Sequence, residues 1–218
     1  MNSIRAVTFD VGGTLIEPFP SVGAVYADVA REFGLDCCPE TLTRQFMDYW
    51  IGRTRFDYTH QEWFEVVQHA FRGYGDVTRE LFVTVYDRFC EAAAWRLFDD
   101  ALPALDALRD RGLRLAVISN WDERLEPLLG KLGLHARFEH ITVSGKLGRH
   151  KPDREIFDHA SRGLRIRPEN ILHVGDSLRE DVEGAKGAGF HAARIRRQGC
   201  EQPHDIARLE ELASLLGH

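Results

Sequence analysis

The sequence has no long apolar run, no block of one charge and little cysteine, and each absence removes a class of protein. No window reaches the length of a membrane-spanning helix. Met1-Asn2-Ser3-Ile4-Arg5 runs straight into a strand-like stretch, with no apolar leader core and no cleavage pattern. A cytoplasmic protein with no membrane role is expected. Four cysteines occur, and the adjacent Cys37 and Cys38 are far from Cys90 and Cys200. No zinc spacing or disulfide framework emerges, so all four read as reduced thiols. The histidines are scattered, none at a metal-ligand spacing. Lys+Arg 28 against Asp+Glu 34 gives a net charge of −6, and the densest cationic cluster, Arg194 to Arg197, is short. A nucleic-acid surface would show a larger basic patch, so no nucleic-acid partner is expected. There is no internal repeat or low-complexity tract, and nothing fixes an oligomeric state.

What is present is apolar content of 44% over 218 residues, enough for one large domain or two small ones. Val7-Thr8-Phe9 ends abruptly on Asp10, and Gly12, Gly13 and Thr14 follow. A buried strand therefore delivers a carboxylate to its end, where the chain turns. Glycines there allow close backbone approach, and their N–H groups can face an anion. From about Pro18 to Trp95 the pattern is helical only. Val22, Val25, Val29 and Phe33 line one helix, and Leu42, Phe46 and Trp50 a second. Trp63, Val66, Val67, Ala70 and Phe71 line a third, and a fourth follows Thr78. From Asp99 onward strands alternate with helices. Leu102, Leu105 and Leu108 line the first helix, and Ile206, Leu209, Leu212 and Leu216 the last. The expected fold is α/β, a doubly wound parallel sheet with a helical domain inserted after the first strand. The expected boundaries are 1–16 plus 96–218 for the core and 17–95 for the insert.

Polar residues close three of the expected strands: Asp10, Ser119-Asn120 and Asp176. A loop supplies Lys151 before Pro152. Each has a plainer reading. Asp10 starts a turn, Ser119 closes one, Lys151 is solvated and Asp176 caps a helix. Those readings do not explain the ordered set. In a parallel sheet the strand ends share one edge, so the four positions can converge there. Asp10 and Asp176, with Asp181 nearby, would repel one another without a cation, and oxygen-only ligands favour a hard ion such as Mg²⁺. Ser119, Lys151 and the Gly12 and Gly13 amides are donors suited to a phosphoryl group.

The ordered set resembles the haloacid dehalogenase superfamily. Asp10-Val11-Gly12-Gly13-Thr14-Leu15 is similar to its first motif, Ser119 to its second and Lys151-Pro152 to its third. Gly175-Asp176-Ser177 through Asp181 is similar to its fourth. The helical insert matches the position of the family's cap of the first type. The run Ile118 to Asp122 resembles one subgroup in particular. The resemblance implies a Rossmann-like core and a small phosphorylated substrate. Asp10 is then the nucleophile, forming an aspartyl-phosphate, and Asp10, Asp176 and the Gly12 carbonyl hold Mg²⁺. Asp181 supports that metal shell, while Ser119, Asn120, Lys151 and the glycine amides bind the phosphoryl oxygens. Thr14 braces the turn. Arg53 and Arg55, beside Trp50, Phe56 and Tyr58, form a candidate anion-facing edge of the cap.

One position departs from the pattern. Phosphatases of the family usually carry a second Asp two residues after the nucleophile, as general acid and base, and here that position is Gly12. Three readings follow. The first is a Mg²⁺-dependent phosphatase that is slow or confined to good leaving groups. The second is a non-catalytic metal- or phosphate-binding protein. The third is a 2-haloacid dehalogenase, whose halide leaves unprotonated, although Phe157 stands where family dehalogenases tend to place a tyrosine.

Overall fold

The computed structural model describes residues 4–51, 56–197 and 205–217. Arg53, Arg55 and Cys200, singled out above, lie outside the described residues. The chain forms two compact units, one of Met1–Ile16 with Leu97–His218 and one of Glu17–Arg96. In chain order, β1 (Ala6–Phe9) and the short β2 (Ile16–Pro18) precede four helices: α1 (Val22–Glu32), α2 (Pro39–Ile51), α3 (His60–Ala70) and α4 (Arg79–Arg88). Strand β3 (Trp95–Leu97) pairs with β2. Then come α5 (Ala101–Asp110), β4 (Arg114–Ser119), α6 (Leu125–Lys131), β5 (His140–Val143), α7 (Ser144–Leu147) and α8 (Arg154–Leu164). The chain ends with β6 (Ile171–Gly175), α9 (Gly184–Gly187), β7 (His191–Ile195), β8 (Asp205–Ile206) and α10 (Glu211–Leu215).

The large sheet has six parallel strands in the order β5-β4-β1-β6-β7-β8. All of β1 is buried, which is why it reads as a near-continuous apolar run and not as an alternation. The crossovers run outward from β1 to β4 and β5, then return to β6 on the other side of β1. Strand order therefore reverses between β1 and β6, and a crevice opens there at the carboxyl ends. Phe9 lies level with both Val117 and Val174. Asp10, Ser119 and Asp176 consequently leave the sheet at one edge.

Helix α8 covers one sheet face. Its buried Ile156, Phe157, Ala160 and Leu164 recur at helical spacing and pack with Ala6, Ala116, Ile118 and Ile171. Each such large apolar side chain contributes about 1.5–3 kcal/mol by burial. Asp153 caps this helix through its carboxylate and the Glu155 N–H, 3.0 Å apart. In α5 the buried stripe is Ala101, Ala104, Leu105 and Leu108, and Leu102, expected inside, is exposed.

The Glu17–Arg96 unit has a core of its own, in which Tyr26, Leu42, Phe71 and Phe82 are buried together. Ser21, Thr59 and Thr78 cap α1, α3 and α4 through their hydroxyls. The Thr59 cap is reciprocal, since Glu62 returns a bond to the Thr59 backbone. The sequence pattern suggested helices alone over this stretch, whereas strands β2 and β3 stand at its two ends. Ile206 is likewise a strand residue: it pairs with Ile195, and its carbonyl accepts from the Arg196 N–H at 2.8 Å. Its spacing from Leu209 and Leu212 fits a helix, but those edge bonds hold it in the sheet. Among the described residues no helix is long and apolar enough to cross a membrane.

Candidate active site

The site starts with Asp10. Its N–H donates to the Val174 carbonyl at 2.9 Å, so the residue is tied to β6 up to the end of β1. The turn that follows is closed on Val11, whose carbonyl accepts from Leu15 at 2.8 Å and Ile16 at 3.1 Å. Gly13 has φ +73°, and a Cβ there would lie 2.5 Å from Asp176 Oδ2. Only glycine meets both conditions. Its amide is not free for an anion, contrary to the expectation above, because it donates to the Ile16 carbonyl at 2.8 Å. Gly12 N–H is not spent in these turn bonds. Thr14 braces the turn through its main chain: its N–H bonds the Val11 carbonyl, and its own carbonyl accepts from Arg197 Nη2 at 2.8 Å. The Thr14 hydroxyl is buried without a partner among the described residues.

Three of the expected side chains converge on one oxygen. Ser119 Oγ and Lys151 Nζ each donate to Asp10 Oδ1 at 2.8 Å. Asp10 Oδ2 takes no hydrogen bond from the described residues. Lys151 is 3% exposed, which rules out the solvated-lysine reading. Its ammonium also donates to Asp181 Oδ1 at 2.6 Å. Burial opposes its charge, but the carboxylates of Asp10 and Asp181 outweigh that and hold it protonated well above the usual lysine range.

Asn120 does other work than expected. Its Nδ2 donates to the Lys151 carbonyl and to Glu180 Oε2, both at 3.0 Å, and its Oδ1 accepts from the Lys151 N–H at 2.7 Å. With both amide hydrogens spent, the side chain fixes the Lys151 loop and has no donor left for a phosphoryl oxygen. Burial, with the charges of Asp181 and Asp10 added, raises the pKa of Glu180 above the usual carboxylate range.

Asp181 is fully committed. Its Oδ1 accepts from Lys151 and from His173 Nε2 at 3.0 Å, and its Oδ2 accepts from the Ser177 N–H at 2.9 Å. Burial pushes its pKa up, but Lys151 and His173 outweigh burial and hold it well below the usual range. His173 is wholly buried, which lowers its pKa. Its Nε2 faces a carboxylate, which can only accept, so Nε2 carries the proton. Nδ1 then accepts from Thr8 Oγ1 at 2.9 Å. Thr8 and His173 are direct partners across β1 and β6. The sequence reading missed this pair. The available signal was a polar residue inside each of two apolar, buried strands.

Asp176 is the exception. It is exposed as a residue, and its carboxylate takes no hydrogen bond from another described residue. Partial withdrawal of the carboxyl from water, followed by the charges of Asp10 and Asp181, pushes its pKa up to about 7. Oxygens of Asp10, Asp176 and Asp181 lie within 4.8 Å of one another. An all-oxygen donor set with an unneutralised carboxylate fits a hard divalent cation. Because both Asp181 oxygens are occupied, Asp10 and Asp176 are the carboxylates left to hold a cation.

A parallel sheet ordered 5-4-1-6-7-8, with an Asp–Ser–Lys–Asp set at its switch point, defines a hydrolase class, and the comparisons agree. The chain belongs to the haloacid dehalogenase-like hydrolase family, whose model matches residues 4–189. It is 34% identical over 202 residues to human (Homo sapiens) haloacid dehalogenase-like hydrolase domain-containing protein 3, covering 87% of this chain and 80% of that one. The solved structure of a phosphatase of this family from Thermococcus onnurineus superposes with a TM-score of 0.72 at 26% identity, covering 98% of each chain. A dehalogenase solved with an intermediate complex superposes with a TM-score of 0.77 at 25% identity, covering 100% of this chain and 99% of that one.

Proposed function

We propose that this hydrolase is a Mg²⁺-dependent phosphatase of a small phosphorylated molecule, with Asp10 as the nucleophile. The observation that carries the reading is the asymmetry of charge around Asp10. Oδ1 is held by Ser119 and Lys151 while Oδ2 is open, and at the neighbouring Asp176 burial and two carboxylates outweigh the charge of Lys151. Oδ2 attacks phosphorus to give an aspartyl-phosphate, which water then cleaves. Ser119 and Lys151 orient the nucleophile and face the phosphoryl oxygens, and Lys151 offsets the charge that builds there. Mg²⁺, when bound by Asp10, Asp176 and the Gly12 carbonyl, neutralises the two carboxylates against an anionic substrate. Asp181 keeps Lys151 charged and in place. The Glu17–Arg96 unit acts as the cap that selects the substrate. With glycine at position 12 no side chain there protonates a leaving alkoxide, so turnover is slow on alkyl esters. Asp176 weighs against the dehalogenase reading, since halide displacement from a carbon needs no second carboxylate at the nucleophile.

The test is phosphate release from a set of small phosphomonoesters with Mg²⁺ and with chelator. The expected result is Mg²⁺-dependent release that Asp10→Asn reduces by on the order of 10⁴-fold or more. Chloride release from 2-chloropropionate without phosphate release would overturn the reading. A Mg²⁺-dependent melting shift with neither product would favour the binding-protein reading.

A further inference from the structure

The space beside Gly12 is filled by an aromatic ring. A Cβ built on Gly12 would lie 3.3 Å from Trp121 Cζ3 and 4.0 Å from Cη2. Gly12 is not among the positive-φ residues, so its backbone accepts other side chains, and the indole is what limits them. Gly12 follows Asp10 by the same two-residue step that separates Trp121 from Ser119, whose hydroxyl holds Asp10. The ring is therefore carried next to the nucleophile by the adjacent strand β4.

Its base is rigid. The Trp121 N–H donates to Ser144 Oγ at 3.0 Å, and its carbonyl accepts from the Gly145 N–H at 2.8 Å and from Ser144 Oγ at 3.0 Å. A Cβ on Gly145 would lie 2.9 Å from that carbonyl, so glycine is what permits the contact. On the other side Asp122 is buried in a two-pronged pair with Arg124, at 2.8 and 2.6 Å. Trp121 is half-buried, so part of its surface is exposed. A preorganised ring of this kind stacks a planar partner at little entropic cost.

We infer that Trp121 is a specificity-determining residue whose indole, seated over Gly12, packs against the leaving portion of an aryl phosphate monoester. The inference rests on the phosphatase reading above. It accounts for the missing acid in chemical terms. When Asp10 Oδ2 bonds to phosphorus, the phosphorus–oxygen bond to the aryl group breaks and its electron pair leaves on the phenolate oxygen. A phenolate is stable without a proton from the enzyme and takes one from solvent later. Water then attacks phosphorus, the Asp10–phosphorus bond breaks, and phosphate departs with the water's oxygen.

Binding to the Mg²⁺-loaded full chain tests this without turnover. Phenylphosphonate, ethylphosphonate and inorganic phosphate are titrated calorimetrically into wild type, Trp121→Phe and Trp121→Ala. Wild type is expected to bind phenylphosphonate about tenfold more tightly than ethylphosphonate, the size of an aromatic contact. Trp121→Phe should keep most of that preference. Trp121→Ala should reduce it to about twofold or less with inorganic phosphate still bound. Equal affinities for the two phosphonates in wild type, or an undiminished preference in folded Trp121→Ala, overturn the role of Trp121 and leave the phosphatase reading intact. Failure of all three ligands to bind wild type overturns both. If Trp121→Ala does not fold, Trp121→Leu, which keeps apolar bulk but no ring, takes its place with the same expected loss.

Discussion

Asp176 follows the end of β6 and Asp181 lies in the helical segment Leu178–Glu183 just beyond it, yet their surroundings oppose each other. On one flank of Asp10, Ser119, Lys151, Asp181, His173 and Thr8 form an unbroken chain of hydrogen bonds from its carboxylate into the sheet. Every charge there has a counter-charge or a donor, and Asp181 is held ionised. On the other flank burial and two neighbouring carboxylates outweigh the charge of Lys151 at Asp176, and its pKa climbs to about 7. Buried paired charges fix geometry, and an exposed unpaired one keeps an affinity in reserve. The lesson is that one strand end can make a rigid half and a ligand-responsive half of the same site.

The largest test of the rigid half is Lys151→Met. It leaves Asp10 and Asp181 facing each other without their cation. A loss of about 3–5 kcal/mol in urea unfolding is expected, as for any buried pair stripped of one partner. Phosphate release should fall with it. Asp181 has a folded pKa below the ordinary range, so its stabilisation is full above that range and fades on acidification. The gap between wild type and Lys151→Met should therefore narrow as pH falls through the ordinary carboxylate range. A gap that stays constant would show that Asp181 does not depend on Lys151.

His173→Leu is smaller. It orphans the Thr8 hydroxyl and removes one of the three donors to Asp181, for a cost of about 1–3 kcal/mol. The tautomer is checked separately by the imidazole nitrogen shifts, with the proton expected on Nε2 at neutral pH. A proton on Nδ1 would break the chain as described.

Asp176→Asn should be the smallest in stability and opposite in sign. Without metal, the raised pKa means that the folded wild type takes up a proton below about pH 7 that the unfolded chain has already released. Wild type thus loses stability relative to the variant as pH rises from the usual carboxylate range to about 7, and the difference is level above that. Solvent screening limits it to about 1 kcal/mol or less. Mg²⁺ should reverse the order, because it stabilises wild type and not the variant. Below about pH 7 the Mg²⁺ affinity of wild type should weaken by about tenfold per pH unit, as protons compete for the ligand. A Mg²⁺-dependent melting shift unchanged in Asp176→Asn would erase the distinction between the two flanks.

The sequence alone determined the α/β alternation, the helical character of the insert and the convergence of Asp10, Ser119 and Lys151. These follow from local periodicity and from the rule that parallel strands end on one edge. It did not determine what each polar group touches. Asn120 and Gly13 had donors that looked free for a phosphoryl group, and only the folded loop shows those donors spent on Lys151, Glu180 and Ile16. Thr8 and His173 are distant in sequence and meet only because β1 and β6 pair in register. The ring over Gly12 was invisible for the same reason, since Trp121 arrives in the loop that follows the neighbouring strand β4. Hydrogen bonds and close packing between elements depend on register and orientation to within an ångström, and one-dimensional spacing does not carry that information.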